Sequence, residues 1–150
     1  MPIMVQRNKW ILYKHTCDYE LIKAVALDVK NGCNTELSDF QKHQMQERLK
    51  SLNLYKARNT ETKPLDAINH RINTLEYWMF GYEYKINGIK RFMFSPLGNL
   101  FLKYIDDSNK QKFIFTAMMF AMQFQHPGRS TNVEFQLYPF RLIFKLLLDK

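Results

Sequence analysis

The sequence predicts a mainly α-helical fold with one small β-hairpin. Three features point to it. Apolar residues recur at spacings of three and four through most of the chain, the period of an amphipathic helix. Ser, Asp or Pro stands ahead of several of these stripes, where helices begin. Two strand-like runs flank a single Asn87-Gly88, the strongest two-residue hairpin turn signal.

Taken in order, residues 9–14 form a short strand rich in aromatic and branched side chains, with Trp10, Ile11, Leu12 and Tyr13. Asp18 then caps a helix whose Leu21, Ile22, Val25 and Val29 share one face, and Asn31-Gly32 stops it. Ser38 and Gln41 stand at capping-box spacing for a second helix. Phe40, Met45, Leu49 and Leu52 make its apolar stripe, and Lys42, His43, Gln44, Arg48 and Lys50 its polar side. Residues 55–63 carry no apolar period and read as a surface loop. Pro64 suits the first turn of a third helix. That helix buries Leu65, Ile68, Ile72, Leu75 and Met79 and interleaves them with Asn69, His70, Arg71, Asn73 and Thr74.

The hairpin occupies residues 82–94. Ser95 caps, and Pro96 opens, a short helix with Leu97, Leu100, Phe101 and Tyr104 on its apolar side. Ser108 and Gln111 repeat the capping-box spacing ahead of an apolar helix over residues 112–124. Gln125-His126-Pro127-Gly128-Arg129 ends it, a strand is expected at residues 133–137, and Pro139 opens a last helix. From Phe140 to Leu148 that helix is apolar on nearly every side, so something must cover it.

Composition narrows the function classes. The 150 residues suit one domain, and with 15% aromatics and only five Gly and five Pro the chain is not disordered. Twenty-two Lys plus Arg against 14 Asp plus Glu leave a net charge of +8, which favours an anionic partner, nucleic acid first. Cys17 and Cys33, the 2 cysteines, exclude a disulfide scaffold and a four-thiolate zinc site, and read as reduced thiols of an intracellular protein. Residues 1–6 are too short and polar for an export signal, and the most apolar stretch, residues 113–124, is about half a membrane span. A soluble cytoplasmic protein is expected.

The order helix, helix, helix, Asn-Gly hairpin is that of a winged helix-turn-helix. There the helix just before the wing enters the major groove, and here that helix runs from Pro64 to Met79. The expected arrangement is one domain over residues 1–150, with a winged-helix core at about 36–105 and a helical region at 108–150. Two basic stretches flank the recognition helix: Arg48, Lys50, Lys56, Arg58 and Lys63 before it, and Lys85, Lys90, Arg91 and Lys103 after it. Arg48, Lys56, Arg58, Lys63, Lys85, Lys90 and Arg91 would neutralise phosphates, with Asn87 at the wing's turn. Asn69, His70, Arg71 and Asn73 would read base edges, since Arg pairs with guanine and Asn with adenine.

Other chemistry is less well supported. Asp66 with Glu83-Tyr84-Lys85 resembles the acidic and E-x-K elements of a metal-dependent cleavage site. A first-turn acid and a strand Glu are equally what a helix dipole and a hairpin call for. His15-Thr16-Cys17, Cys33, His43, His70 and His126 complete no metal-ligand spacing. Gly32, Gly81, Gly88, Gly98 and Gly128 are isolated, so there is no phosphate-binding glycine loop. No catalytic residues and no metal are assigned to this chain.

Several segments resemble a known family. They are Lys9-Trp10-Ile11-Leu12 ahead of a capped helix, the run from Arg71 to Phe80, the run from Phe94 to Leu102, and Gln123-Phe124-Gln125-His126-Pro127 with Phe135-Gln136-Leu137-Tyr138-Pro139-Phe140. Together they are similar to the N-terminal region of type IIS restriction and nicking endonucleases of the AlwI kind. The resemblance implies sequence-specific recognition of double-stranded DNA without catalysis by this chain. A Mg-dependent cleavage domain would then lie C-terminal to Lys150 or on a separate chain. Two alternatives use the same residues differently: a stand-alone winged-helix transcription regulator, dimerising through the terminal helix, and a small Mg-dependent nuclease built on Asp66, Glu83 and Lys85.

The last alternative is open to direct test. The purified chain should leave supercoiled plasmid intact with Mg²⁺ or Mn²⁺. Nicking that disappears in Glu83→Ala would establish the nuclease instead.

Overall fold

The computed structural model describes residues 18–55, 64–123 and 138–149; the strands expected at 9–14 and 133–137 lie outside them. What it describes is mainly helical with one antiparallel two-stranded hairpin, as the sequence predicts.

Helix α1, Tyr19–Leu27, starts where the Asp18 carboxylate accepts the backbone N–H groups of Glu20 and Leu21 at 3.1 and 3.3 Å. It buries Leu21, Ile22, Val25 and Ala26. The stop expected at Asn31-Gly32 is a widened turn, Asp28–Gly32, of π geometry, which still buries Val29. Asn34 and Thr35 follow with φ of 47° and 63°. This conformation disfavours a branched residue such as Thr35. It is held by Thr35 donating its N–H to the Val29 carbonyl at 2.8 Å and accepting that of Phe92 at 2.8 Å.

The chain then runs briefly beside the hairpin. Leu37 donates its N–H to the Lys90 carbonyl at 2.8 Å, and Glu36 bridges Arg91 in antiparallel sense. Nothing in the local composition signals this third, one-bridge strand.

Helix α2, Asp39–Ser51, is capped by the Ser38 hydroxyl, which accepts the Gln41 N–H. Its stripe differs from the expected one. Met45 and Leu49 are buried, but Phe40 and Leu52 are 68% and 59% exposed. Lys42 and Gln46 take the inward positions instead. The buried positions 42, 45, 46 and 49 make one helical face; Phe40 lies off it, and Leu52 is the C-cap beyond the last helical residue.

Helix α3, Asp66–Tyr77, packs on α1 and α2 through Ile68, Ile72 and Leu75. Met79, expected as the last member of its stripe, lies beyond the helix in a turn with φ 58°. That turn drops the ring of Phe80 into the core.

Strands β1, Gly81–Ile86, and β2, Ile89–Phe94, pair from Gly81 opposite Phe94 to Ile86 opposite Ile89. Asn87 at φ 51° and Gly88 at φ 80° supply the two positive angles of a type I′ turn.

Helix α4, Pro96–Lys103, is capped by Ser95, whose hydroxyl accepts the Gly98 N–H at 3.0 Å. Helix α5, Ser108–Ala121, is capped by Asp107 rather than Ser108; its carboxylate accepts from Asn109 and Lys110 at 3.1 and 3.0 Å. Gln111 therefore does not close a capping box. It is buried and donates both amide hydrogens to carbonyls of the preceding helix end, Phe101 at 2.9 Å and Tyr104 at 2.6 Å. Helix α6, Pro139–Leu148, buries none of its residues and is joined to α5 by stacking of Phe120 on Phe144. Among the described residues no helix is long and apolar enough to cross a membrane.

One core joins α1 to α4 and the first turns of α5. At its centre Phe80 stacks on Phe101 with ring centroids 4.4 Å apart, and Phe115 meets both edge-on at 5.6 and 5.9 Å. Gly98 faces the Phe80 carbonyl so closely that a Cβ there has no room.

Two substitutions separate two kinds of glycine. Gly98→Ala should cost about 1–3 kcal/mol by overpacking. Gly88→Ala, with open space around it, should cost about 1 kcal/mol from its left-handed φ alone. Urea denaturation midpoints measure both.

Candidate nucleic-acid interface

The outward face of α3 follows from its buried one. With Ile68, Ile72 and Leu75 inward, the helical period turns Asp66, His70 and Asn73 outward. His70 is exposed and lies 3.7 Å from the Asp66 carboxylate one turn earlier, a pair that forms when the imidazole is protonated. Asn73 is half-buried. Thr74 is buried and its hydroxyl donates to the His70 carbonyl at 3.0 Å.

Asn69 and Arg71 flank this face and are half-buried. The Asn69 Oδ1 and Arg71 Nε atoms are buried with no hydrogen-bond partner among the described residues. Arg71 lies near Tyr55, whose hydroxyl is pushed up by burial while the Lys50 and Arg71 charges oppose the shift. Helix α3 thus offers His70 and Asn73 most openly, with Asn69 and Arg71 at its margins.

The hairpin presents a second set. Side chains alternate along a strand, so Glu83, Lys85, Lys90 and Phe92 share one face, and Tyr82, Tyr84, Ile86, Ile89, Arg91 and Met93 the other. Lys85 and Asn87 are exposed. Lys90 pairs with Glu83 at 2.9 Å. Arg91 is half-buried between Tyr84 and Glu36.

Sequence reasoning missed Lys42. It is buried on α2, and burial pushes its ammonium pKa down, opposed by the Glu83 charge and assisted by that of Lys90. Lys42, Glu83 and Lys90 therefore form an electrostatic cluster linking α2 to the hairpin. Its signal was the spacing of Lys42 with Met45 and Leu49. The hairpin is also tied to α3, since the Glu76 carboxylate accepts the Glu83 N–H at 2.6 Å.

Arg48 lies elsewhere. Its guanidinium donates from Nε and from a terminal nitrogen to the two oxygens of Asp28, at 2.5 and 3.1 Å. The pair closes over the buried Cys33 thiol, which burial and the Asp28 charge push up to about 11. Lys56, Arg58 and Lys63 lie outside the described residues.

The residues of the nuclease alternative do not converge. Asp66 opens α3, whereas the Glu83 backbone is bonded to Glu76, ten residues and about 15 Å further along the helix. The Glu83 carboxylate is engaged by Lys90. Among the described residues no group of three or more His, Cys, Asp or Glu could hold a metal ion.

A helical chain with a polar helix face and a cationic hairpin beside it fits the DNA-related region of a restriction enzyme, and comparison with known proteins places it there. The family model that matches, over residues 5–150, is that of the type II restriction endonuclease HgaI, N-terminal domain. The chain belongs to that family. It is 48% identical over 142 residues to the type II restriction enzyme HgaI of Avibacterium volantium, covering 94% of this chain and 29% of the relative. The chain therefore spans less than a third of that relative's length. No solved structure matches. The N-terminal region of a type II restriction enzyme is what the sequence resemblance implied.

The Arg48–Asp28 pair yields a prediction of its own. Arg48→Ala leaves the nearly buried Asp28 carboxylate without its partner, and should cost about 1–3 kcal/mol of stability. Thermal melting measures that loss, which should leave the salt dependence of any DNA binding unchanged.

Proposed function

We propose that the chain is the recognition domain of a type IIS restriction endonuclease, binding double-stranded DNA sequence-specifically through a winged helix-turn-helix. The observation that carries this reading is the short pairing of residues 35–37 with the free edge of β2. It makes the chain order helix, strand, helix, helix, two-stranded wing, with α3 packed against α1 and α2 and its His70–Asn73 side left open. In that arrangement α3 enters the major groove, and the hairpin follows the adjacent backbone. His70 and Asn73 would meet base edges, with Asn69 and Arg71 beside them. Lys85, Lys90, Asn87 and Arg91 on the hairpin, and Lys56, Arg58 and Lys63 before α3, would meet phosphates.

The relative's name supports restriction as the setting, and the relative's greater length leaves room for a separate cleavage domain. Mg²⁺ would serve that domain and not this chain, whose Asp66 and Glu83 are held apart. Such an enzyme would work in the cytoplasm.

The test is selection of bound duplexes from a random pool. One short asymmetric sequence should be enriched. With about four to six phosphates contacted, affinity should fall by about two to three orders of magnitude between about 50 and 200 mM salt. Asn73→Ala should relax choice at one base pair by about 1–3 kcal/mol. Lys85→Ala should weaken all sequences alike and lower the salt slope by about one. No enrichment, or binding indifferent to salt, would overturn the reading.

A further inference from the structure

We propose that the hairpin tip is a wedge: Ile86 and Ile89, paired across the Asn87-Gly88 turn, enter the minor groove of the bound duplex and separate a pair of stacked bases. The proposal rests on the duplex-binding reading above and adds to it a residue pair that deforms DNA.

The two isoleucines are the outermost pair of the hairpin and are 49% and 43% exposed. Ile89 lies three residues, about 10 Å, beyond the buried Phe92, so the pair projects past the last core residue of the strands. A branched apolar pair at the apex of an exposed turn is costly in water and gains most where it is buried on contact.

The neighbouring cations indicate what buries it. Lys85 and Lys90 lie directly opposite each other on the other face of the hairpin, one residue from each isoleucine. Like charges in that position repel. Glu83 offsets Lys90 at 2.9 Å, and no ion-pair partner stands against Lys85 among the described residues. An apolar protein groove would leave this repulsion in place. A duplex relieves it, because phosphates line both sides of a minor groove about 6 Å wide, while its base steps accept apolar wedges that unstack them. At the apex the isoleucines would thus face the bases and Lys85 and Lys90 the backbone, with Arg91, two residues from Ile89 on the isoleucine face, reaching a further phosphate. Tyr82 and Met93, also exposed on the apolar side, are at the hairpin base and contact each other through hydroxyl and thioether at 2.9 Å.

The experiment uses the full chain and a duplex enriched by it from a random pool. 2-Aminopurine is placed in turn at each adenine, and the duplex ends carry a fluorophore pair. Binding should raise 2-aminopurine emission at one step and shorten the end-to-end distance. Ile86→Ala/Ile89→Ala should abolish both changes and weaken binding about tenfold or more, while Ile86→Leu/Ile89→Leu should retain them. Binding by the wild-type chain with no emission change and an unbent duplex would overturn the wedge and leave the recognition reading standing; this outcome needs no variant to fold. Unchanged signals in the alanine variant would overturn it equally. Failure of the wild-type chain to enrich or bind any duplex would remove both proposals together.

Discussion

The fold depends on how the chain turns at Phe80. Helix α3 ends, Met79 takes a left-handed conformation, and the next ring is driven into the core against Phe101. The Phe80 carbonyl accepts the N–H of Ser95 at 2.9 Å, while the Ser95 hydroxyl donates to the Met79 carbonyl at 2.7 Å. Three elements meet there: the end of α3, both ends of the hairpin and the start of α4. The absence of a side chain at Gly98 is what lets α4 approach closely enough for the ring stack to form. Hydrophobic burial supplies the driving force, and these backbone bonds fix the direction in which the hairpin leaves the body.

The positive charge of this family member is not evenly available. Lys23 is paired with Asp106, Arg48 with Asp28, Lys50 with Glu47 and Lys90 with Glu83. These pairs join segments distant in sequence, cross the hairpin or steady a helix. The exposed pairs among them add little stability individually, unlike Arg48 with the nearly buried Asp28, but all four reduce the cationic field of those sides of the molecule. Lys85 at the hairpin tip retains its charge without such a partner among the described residues. A net charge read from composition therefore indicates an anionic partner without locating it.

The legible features of the structure are those governed by local chemistry. Asn87-Gly88 can form few turns other than the one it forms, and Ser95-Pro96 starts a helix by cap and fixed φ together. The α1 stripe and the buried side of α3 follow from spacing alone. The illegible features are set by distant contacts. Lys42 is inward beside the charge of Glu83 on the hairpin, which no window around Lys42 contains. Residues 35–37 pair with β2 because two left-handed residues aim them there, and Thr35 carries no sign of it. Ser108 has the spacing of a cap, but Asp107 precedes it with a stronger acceptor. The restriction-enzyme resemblance is readable from short motifs, whereas the exposure of Asn69 and Arg71 depends on their neighbours.

Gln111 has a mechanical consequence. One buried amide holds two carbonyls of the segment that ends α4, so α4 cannot swing about its junction with α5 without breaking both bonds in a dry environment. Tyr19 reinforces the junction by donating its hydroxyl to the Ile105 carbonyl at 2.7 Å. Because α4 is also bonded to the hairpin base through Ser95, the base of the hairpin and the start of α5 are both fastened to one short helix, one at each of its ends.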